Sequence, residues 1–174
     1  MRYTHEYQAL QEQLHARGDY GISGQKHADK IIELSKRLGT KDVLDYGCGK
    51  STLAKSLPFY IQQYDPFIPA YAADPNPADL VVCSDVLEHI EPACLGDVLE
   101  HIYSKTMKAL FIDVATRPAQ KVLADGRNAH LIQEKPLWWL NRLAIWFDPQ
   151  SMVTYQGGFI AVCVPIPNPV PTSK

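Results

Sequence analysis

The chain is predicted to fold as an α/β domain around a parallel sheet, and three stretches carry that prediction. Val43-Leu44-Asp45-Tyr46 is an apolar run with an acid at its end, and Gly47-Cys48-Gly49-Lys50-Ser51-Thr52-Leu53 continues it as a tight glycine turn and the first turn of a helix. Ile61-Gln62-Gln63-Tyr64-Asp65 reads as a second short strand that again ends in an acid. Asp79-Leu80-Val81-Val82-Cys83-Ser84 is a third run, apolar almost throughout, as strands buried on both faces are. Helical patterns separate these runs, the alternation from which parallel sheets are built.

The remaining elements follow in chain order. Tyr3, Tyr7, Leu10 and Leu14 recur at helical spacing before Gly18, so an amphipathic helix is expected to open the chain and cover one edge of the ligand cleft. Arg17 to Gly24 is a glycine-bearing loop. Gln25 to Leu38 is a second helix, with Ala28, Ile31, Ile32, Leu34 and Leu38 facing inward and Gly39 as its C′ residue. Between Asp65 and Asp79 the string DPFIPAYAADPNPAD is too broken by proline for a full helix and leaves room for a short edge strand at most, around Ala70 to Ala72. Glu91 to Thr106 is a helix with Pro92 in its first turn and Leu95, Val98, Leu99 and Ile102 on one face, and Ala109 to Ala115 is the next strand. Pro136 to Ile145 is a further helix, followed by Ser151 to Tyr155 and Gly158 to Val164, a hairpin turning at Gln156-Gly157. Residues 1–164 thus form one domain, and 165–174, with four prolines, a tail expected to be poorly ordered.

Composition narrows the function. With 174 residues, 46% hydrophobic and 21% charged, the chain has the make-up of a single soluble domain. A net charge of −2 gives no electrostatic footprint for gripping a phosphate backbone, so a small ligand is favoured over duplex nucleic acid. The cysteines, at 48, 83, 94 and 163, form no C-x-x-C pair and read as reduced, buried thiols. A polar amino terminus and the lack of a long apolar run point to a cytoplasmic protein that does not enter a membrane.

The glycine turn carries the chemistry. Gly47 and Gly49 let backbone approach a ligand with no Cβ in the way, and unpaired N–H groups at a helix start suit a carboxylate. Asp45 adds an acceptor for an ammonium group, so the site suits a zwitterionic amino-acid tail better than a pyrophosphate. Asp65 follows at the distance at which α/β nucleoside sites hold ribose hydroxyls, about twenty residues on.

Taken in order, LDYGCGKSTL, YDP and ADLVVCSDVLEHI resemble the class I S-adenosylmethionine (AdoMet)-dependent methyltransferases across residues 20 to 115. The resemblance implies a Rossmann-like sheet with helices on both faces, an abbreviated third strand and an antiparallel C-terminal strand pair. A full member of that class places a helix and a strand between Asp65 and Asp79, so the adenine wall here is abbreviated as well. AdoMet is the implied cofactor, held by Asp45, Gly47, Cys48, Gly49 and Asp65, with Ser84 and Asp85 at the end of the later strand. Tyr20 either closes over the donor or packs within its loop, and Ser51 stands where many relatives have a third glycine.

Asp85-x-x-Glu88-His89, with His130 after the following strand, is the sharper motif. It is similar to the ubiquinone-biosynthesis O-methyltransferases and the small-RNA 3′-terminal 2′-O-methyltransferases, where an acid-x-x-Glu-His run and a later histidine hold a divalent ion. That resemblance implies Asp85, Glu88, His89 and His130 as metal ligands and Glu88, His89 and His130 as the catalytic set, with Asp in place of the commoner Glu shortening the first ligand by a methylene. In metal-free relatives the same glutamate caps backbone and the histidine packs behind the donor, and both readings stand on sequence. Two histidines and two oxygens would suit zinc, iron or manganese better than magnesium.

Asp125 to His130 gathers polar side chains around one glycine, with Arg127 and Asn128 as candidate acceptor contacts and a surface salt bridge as the alternative for Arg127. Trp138 and Trp139 cannot both face the core of a short helix, so one of them is expected to line the acceptor pocket or a partner surface. These readings converge on O- or N-methylation of a small-molecule or nucleoside-type acceptor. The alternatives are a nucleic-acid methyltransferase, for which no Asn/Asp-Pro-Pro-aromatic motif follows the fourth strand, and an AdoMet-binding scaffold without catalysis.

Overall fold

The computed structural model describes residues 1–16 and 21–169, so Tyr20 and Gly18 lie outside the described residues. Six strands form one sheet in the order β2-β1-β3-β4-β6-β5, with β1 Val43–Tyr46, β2 Gln62–Tyr64, β3 Ala78–Ser84, β4 Thr106–Ala115, β5 Phe147–Tyr155 and β6 Gly158–Pro165. The first four run parallel, and β6 pairs antiparallel with both β4 and β5. The hairpin turns at Gly157, whose φ of 85° suits glycine.

Alternation along the strands sends neighbouring residues to opposite faces, and each face acquires its own helices. Val43, Leu80, Val82 and Phe111 pack with Ile31 and Leu34 of α2 (Ala28–Leu38) and with Leu53 of the short α3 (Thr52–Ser56). Leu44, Val81, Cys83 and Ile112 pack with Leu95, Val98, Leu99 and Ile102 of α4 (Leu95–Lys105) and with Trp139 and Leu143 of α5 (Pro136–Leu143). Gly39 ends α2 in the left-handed conformation, φ 64°, with Thr40 N donating to Ser35 O at 3.0 Å. All four cysteines are buried and free.

The opening helix, α1 (His5–His15), is capped by Thr4, whose hydroxyl accepts from Tyr7 N at 3.1 Å. It lies across the carboxyl edge of the sheet, with Tyr7 and Leu14 packed on Leu123 and Ala129 of the long loop after β4. Among the described residues, no helix is long and apolar enough to cross a membrane.

Three expectations are corrected. No strand forms around Ala70 to Ala72; the proline-rich segment makes a single 3-10 turn, Pro69–Tyr71, and β2 is left as the sheet's edge. Ile166, assigned to a poorly ordered tail, is tied in, its N–H donating to Trp146 O at 3.0 Å and its carbonyl accepting from the Tyr103 hydroxyl at 2.8 Å. Trp139 is a core residue, fully buried against the sheet, and Trp138 is half-buried beside it with the Arg142 guanidinium 3.4 Å from its ring centre. Replacing Trp139 by Ala is therefore expected to cost about 3–5 kcal/mol in urea unfolding, while Tyr60→Ala, at an exposed site, stays within about 0.5 kcal/mol.

Candidate active site

The carboxyl ends of β1, β2 and β3 open beneath α1 into a cleft of ≈ 270 Å³. The glycine turn forms its floor. Gly47 N and Cys48 N both donate to Tyr64 O, at 2.7 and 3.0 Å, and Gly49 N donates to an Asp65 oxygen at 3.1 Å. Lys50 N donates to Gly21 O at 2.8 Å, so the loop before α2 closes onto the same turn. A Cβ on Gly49 would sit 2.6 Å from Gly21 O, and one on Gly47 would sit 2.3 Å from Val86 Cγ2. Ser51 occupies a left-handed position, φ 61°, that glycine would take more cheaply.

Asp45 and Asp65 line the cleft, both buried. Burial, reinforced by the nearby Asp65, pushes the Asp45 carboxyl up to about 7. Burial also raises Asp65, against the opposing pull of His15 and of the N–H groups of Phe67 and Gly49. A cationic group entering between these acids would relieve both. Cys48 and Ser84 line the same space, and the buried Ser84 hydroxyl has no hydrogen-bond partner among the described residues.

Beyond β3, Asp85 takes a left-handed conformation, φ 61°, and precedes a 3-10 turn, Leu87–His89. Asp85, His89 and His130 come together with one ligand atom from each lying within 4.8 Å of the others. The imidazoles are oriented by backbone: His89 Nδ1 lies 2.8 Å from Ala129 O and His130 Nδ1 2.6 Å from Arg117 O. A carbonyl only accepts, so Nδ1 carries a proton in each ring, and Nε2 is the nitrogen left to ligate. The rings meet edge to face at 4.7 Å. Burial holds His89 neutral, its pKa lowered to about 4. Burial alone would raise Asp85, but the His89 imidazole when it carries a second proton, the Ser23 hydroxyl at 2.8 Å and Lys26 more than offset it, and the net direction is down.

Several sequence-derived assignments are corrected at this point. Glu88 does not join the cluster: its side chain is fully buried, one oxygen accepts from Ala115 N at 2.6 Å, and burial beside Asp85 holds it protonated. Arg127 is exposed and pairs with Asp125 at 2.6 Å, outside the cleft. Asn128 ties down its own loop, accepting from Ala119 N and His130 N at 2.9 Å each, and so positions His130 without lining the cleft. Trp138 and Trp139 do not line it either.

Tyr3 and Tyr7 line the cleft, as expected of a helix covering its edge, while Arg2, Gln11 and Ser23, also in the lining, were not singled out on sequence. Tyr7 carries its hydroxyl onto the carbonyl of His89. Behind the cluster, Asp113 of β4 gathers Lys26 (2.7 Å), His27 (2.8 Å) and the Tyr155 hydroxyl (2.7 Å), and its carbonyl accepts from Asp85 N at 2.9 Å. Its one sequence signal is an acid interrupting an otherwise apolar strand.

No protein-family model and no curated protein matches the sequence. Solved structures do share the fold. The 1,6-didemethyltoxoflavin-N1-methyltransferase of Burkholderia thailandensis, with S-adenosylhomocysteine bound, has a TM-score of 0.63 at 17% identity over 95% of this chain and 91% of that one. The N-methyltransferase NodS of Bradyrhizobium japonicum WM9 gives 0.61 at 15% identity over 93% and 99%. Magnesium protoporphyrin IX methyltransferase from Synechocystis PCC 6803 gives 0.58 at 16% identity over 82% and 83%. The fold is that of the class I AdoMet-dependent methyltransferases.

Asp45 supplies a prediction that needs no ligand. A carboxyl whose pKa is raised on folding favours the native state at low pH, and that contribution is lost as pH rises through the folded value of about 7. Asp45→Asn should therefore gain stability relative to the wild type as the pH is raised from about 4 to about 7, read as the difference between their denaturation midpoints.

Proposed function

We propose that the protein transfers a methyl group from AdoMet to a hydroxyl or amine of a small-molecule or nucleoside-type acceptor. The observation that carries this reading is a single cleft whose floor is the glycine turn with Asp45 and Asp65, and whose far side is the Asp85, His89 and His130 cluster. Asp45, buried with its ionised form disfavoured, suits the ammonium of an amino-acid tail. Asp65 suits the hydroxyls of a ribose, since its two oxygens have acceptor capacity beyond the N–H groups of Gly49 and Phe67. The related folds solved with S-adenosylhomocysteine support the same choice.

Methyl transfer from a sulfonium is an in-line displacement, and orientation alone is worth up to about 7–11 kcal/mol. The structure is suited to that demand: the floor is pinned by backbone hydrogen bonds, and α1 roofs the cleft with Tyr7 and Gln11. Asp85, His89 and His130 also fit a divalent ion, because two imidazoles anchored through Nδ1 and a carboxylate are a borderline donor set suited to zinc, manganese or iron. When bound there, such an ion polarises an acceptor hydroxyl and favours its ionised form. Without an ion, Nε2 of His130, the ring nitrogen not turned to Arg117 O, is the group placed to take the acceptor's proton.

Calorimetry with S-adenosylhomocysteine tests the cofactor assignment. Asp65→Ala is expected to lose about ten- to a hundredfold in affinity, as removal of a charged hydrogen-bond acceptor does, and unchanged affinity would rule out the ribose assignment. The ion is tested separately by titrating metal-stripped protein with Zn²⁺ or Mn²⁺. One site per chain is expected, with His130→Ala weakening it by at least about tenfold while S-adenosylhomocysteine still binds. Equal ion binding by His130→Ala and wild type would contradict the cluster's role.

A further inference from the structure

Residues 65–77 make no strand, and β2 is the bare edge of the sheet, so one wall of the cofactor cleft has to come from elsewhere. The amino-terminal arm occupies that position. Arg2 Nη1 donates to the Tyr64 hydroxyl at 2.9 Å, and the guanidinium lies 5.8 Å from the centre of the Tyr64 ring. The same nitrogen lies 2.8 Å from His101 Nδ1, which the Tyr46 hydroxyl also reaches at 2.8 Å. Tyr3 packs its ring edge on Phe67 at 5.0 Å, in the loop that follows Asp65. Thr4 fastens the arm to the other side of the cleft, its N–H and hydroxyl both donating to Glu91, at 2.8 and 2.9 Å.

The end of the cleft enclosed in this way has a distinct chemistry. Its sides are the apolar surfaces of Ile90 and Val98 and the tyrosine rings, and at its base lie the Arg2 guanidinium and the Tyr46 and Tyr64 hydroxyls. Flat apolar walls closed by one strong donor and by hydroxyls able to donate or accept suit a planar heterocycle that carries both donors and acceptors on its edge. Asp65 follows Tyr64 in the chain and accepts from Gly49 N at 3.1 Å, so its carboxylate links this end to the glycine turn, as a ribose links a base to an amino-acid tail.

We propose that the Arg2–Tyr3 arm, taking the place of the absent edge strand, forms the nucleobase wall of the cofactor cleft, and that Arg2 together with the Tyr64 hydroxyl reads the edge of the base. This rests on the reading that the cleft binds AdoMet. A mere strap would hold any occupant equally, whereas a base-reading wall distinguishes adenine from hypoxanthine, in which an amine donor becomes a carbonyl acceptor and a ring-nitrogen acceptor becomes a donor.

The test is the ratio of the dissociation constants of S-inosylhomocysteine and S-adenosylhomocysteine, measured by calorimetry on the full chain. Arg2→Met keeps the aliphatic reach and Tyr64→Phe keeps the ring, so both leave the packing in place. The wild type is expected to prefer the adenosyl compound by about tenfold or more, and the preference should fall toward unity in Arg2→Met and shrink in Tyr64→Phe. Thr4→Ala, which releases the strap without removing a base contact, should weaken both compounds together and keep the ratio. A wild type that binds S-adenosylhomocysteine while Arg2→Met retains the full preference overturns the assignment of Arg2. A wild type that binds neither compound refutes the cofactor reading itself, and the base wall with it.

Discussion

Everything at the carboxyl edge of this sheet depends on how closely three backbone segments meet at Gly47 to Lys50. The Tyr64 carbonyl takes two N–H groups from the turn, Asp65 takes a third, and the Gly21 carbonyl takes the fourth. With φ of 80° and 49°, and with Val86 and Gly21 pressed against them, Gly47 and Gly49 leave no space for a side chain. That contact fixes the spacing of Asp45 and Asp65 and docks the loop that carries Ser23 to Asp85. Loss of the turn would therefore disturb the floor and the polar cluster together.

The second constraint is electrostatic. Asp45, Asp65, Glu88 and Asp113 are buried and Asp85 largely so, an arrangement that would oppose folding if every carboxylate were ionised and unpaired. The protein resolves it differently at each position. Asp113 is paired with Lys26, His27 and Tyr155 and held down to about 2 despite burial; Glu88 stays protonated against the Ala115 N–H; Asp85 accepts from the Ser23 hydroxyl with Lys26 nearby. Asp45 remains, raised to about 7, and Asp65 beside it is raised as well. The acids left without full compensation are those of the glycine turn, which is where a cationic ligand would be bound most strongly.

Much of this was legible in the sequence because it is written in local patterns. The glycine turn, the acid ending β2, the two-sided apolar strands and the inward face of α4 are each set by neighbours in the chain, and they formed as read. The motif after β3 was legible only in part. Acids spaced as Asp85 and Glu88 share a face if one regular turn spans both, but Asp85 sits in the left-handed region ahead of a 3-10 turn, and Glu88 is rotated into the core. Trp139 went the same way: α5 needs one large residue against the sheet, and burial of the indole prevailed over any role at the surface. The contacts of Arg2 with Tyr64 and His101 join distant parts of the chain and follow from the missing edge strand, so no local pattern announced them.

One ligand is proposed to lie along one cleft, and a crystal structure of the complex with S-adenosylhomocysteine tests that placement most directly. Density is expected for the amino-acid tail over Gly47 and Gly49 with its ammonium at Asp45, ribose hydroxyls at Asp65, and the thioether sulfur facing the Asp85, His89 and His130 cluster. An empty cleft in crystals soaked to saturation, or a ligand whose sulfur points away from that cluster, would contradict it.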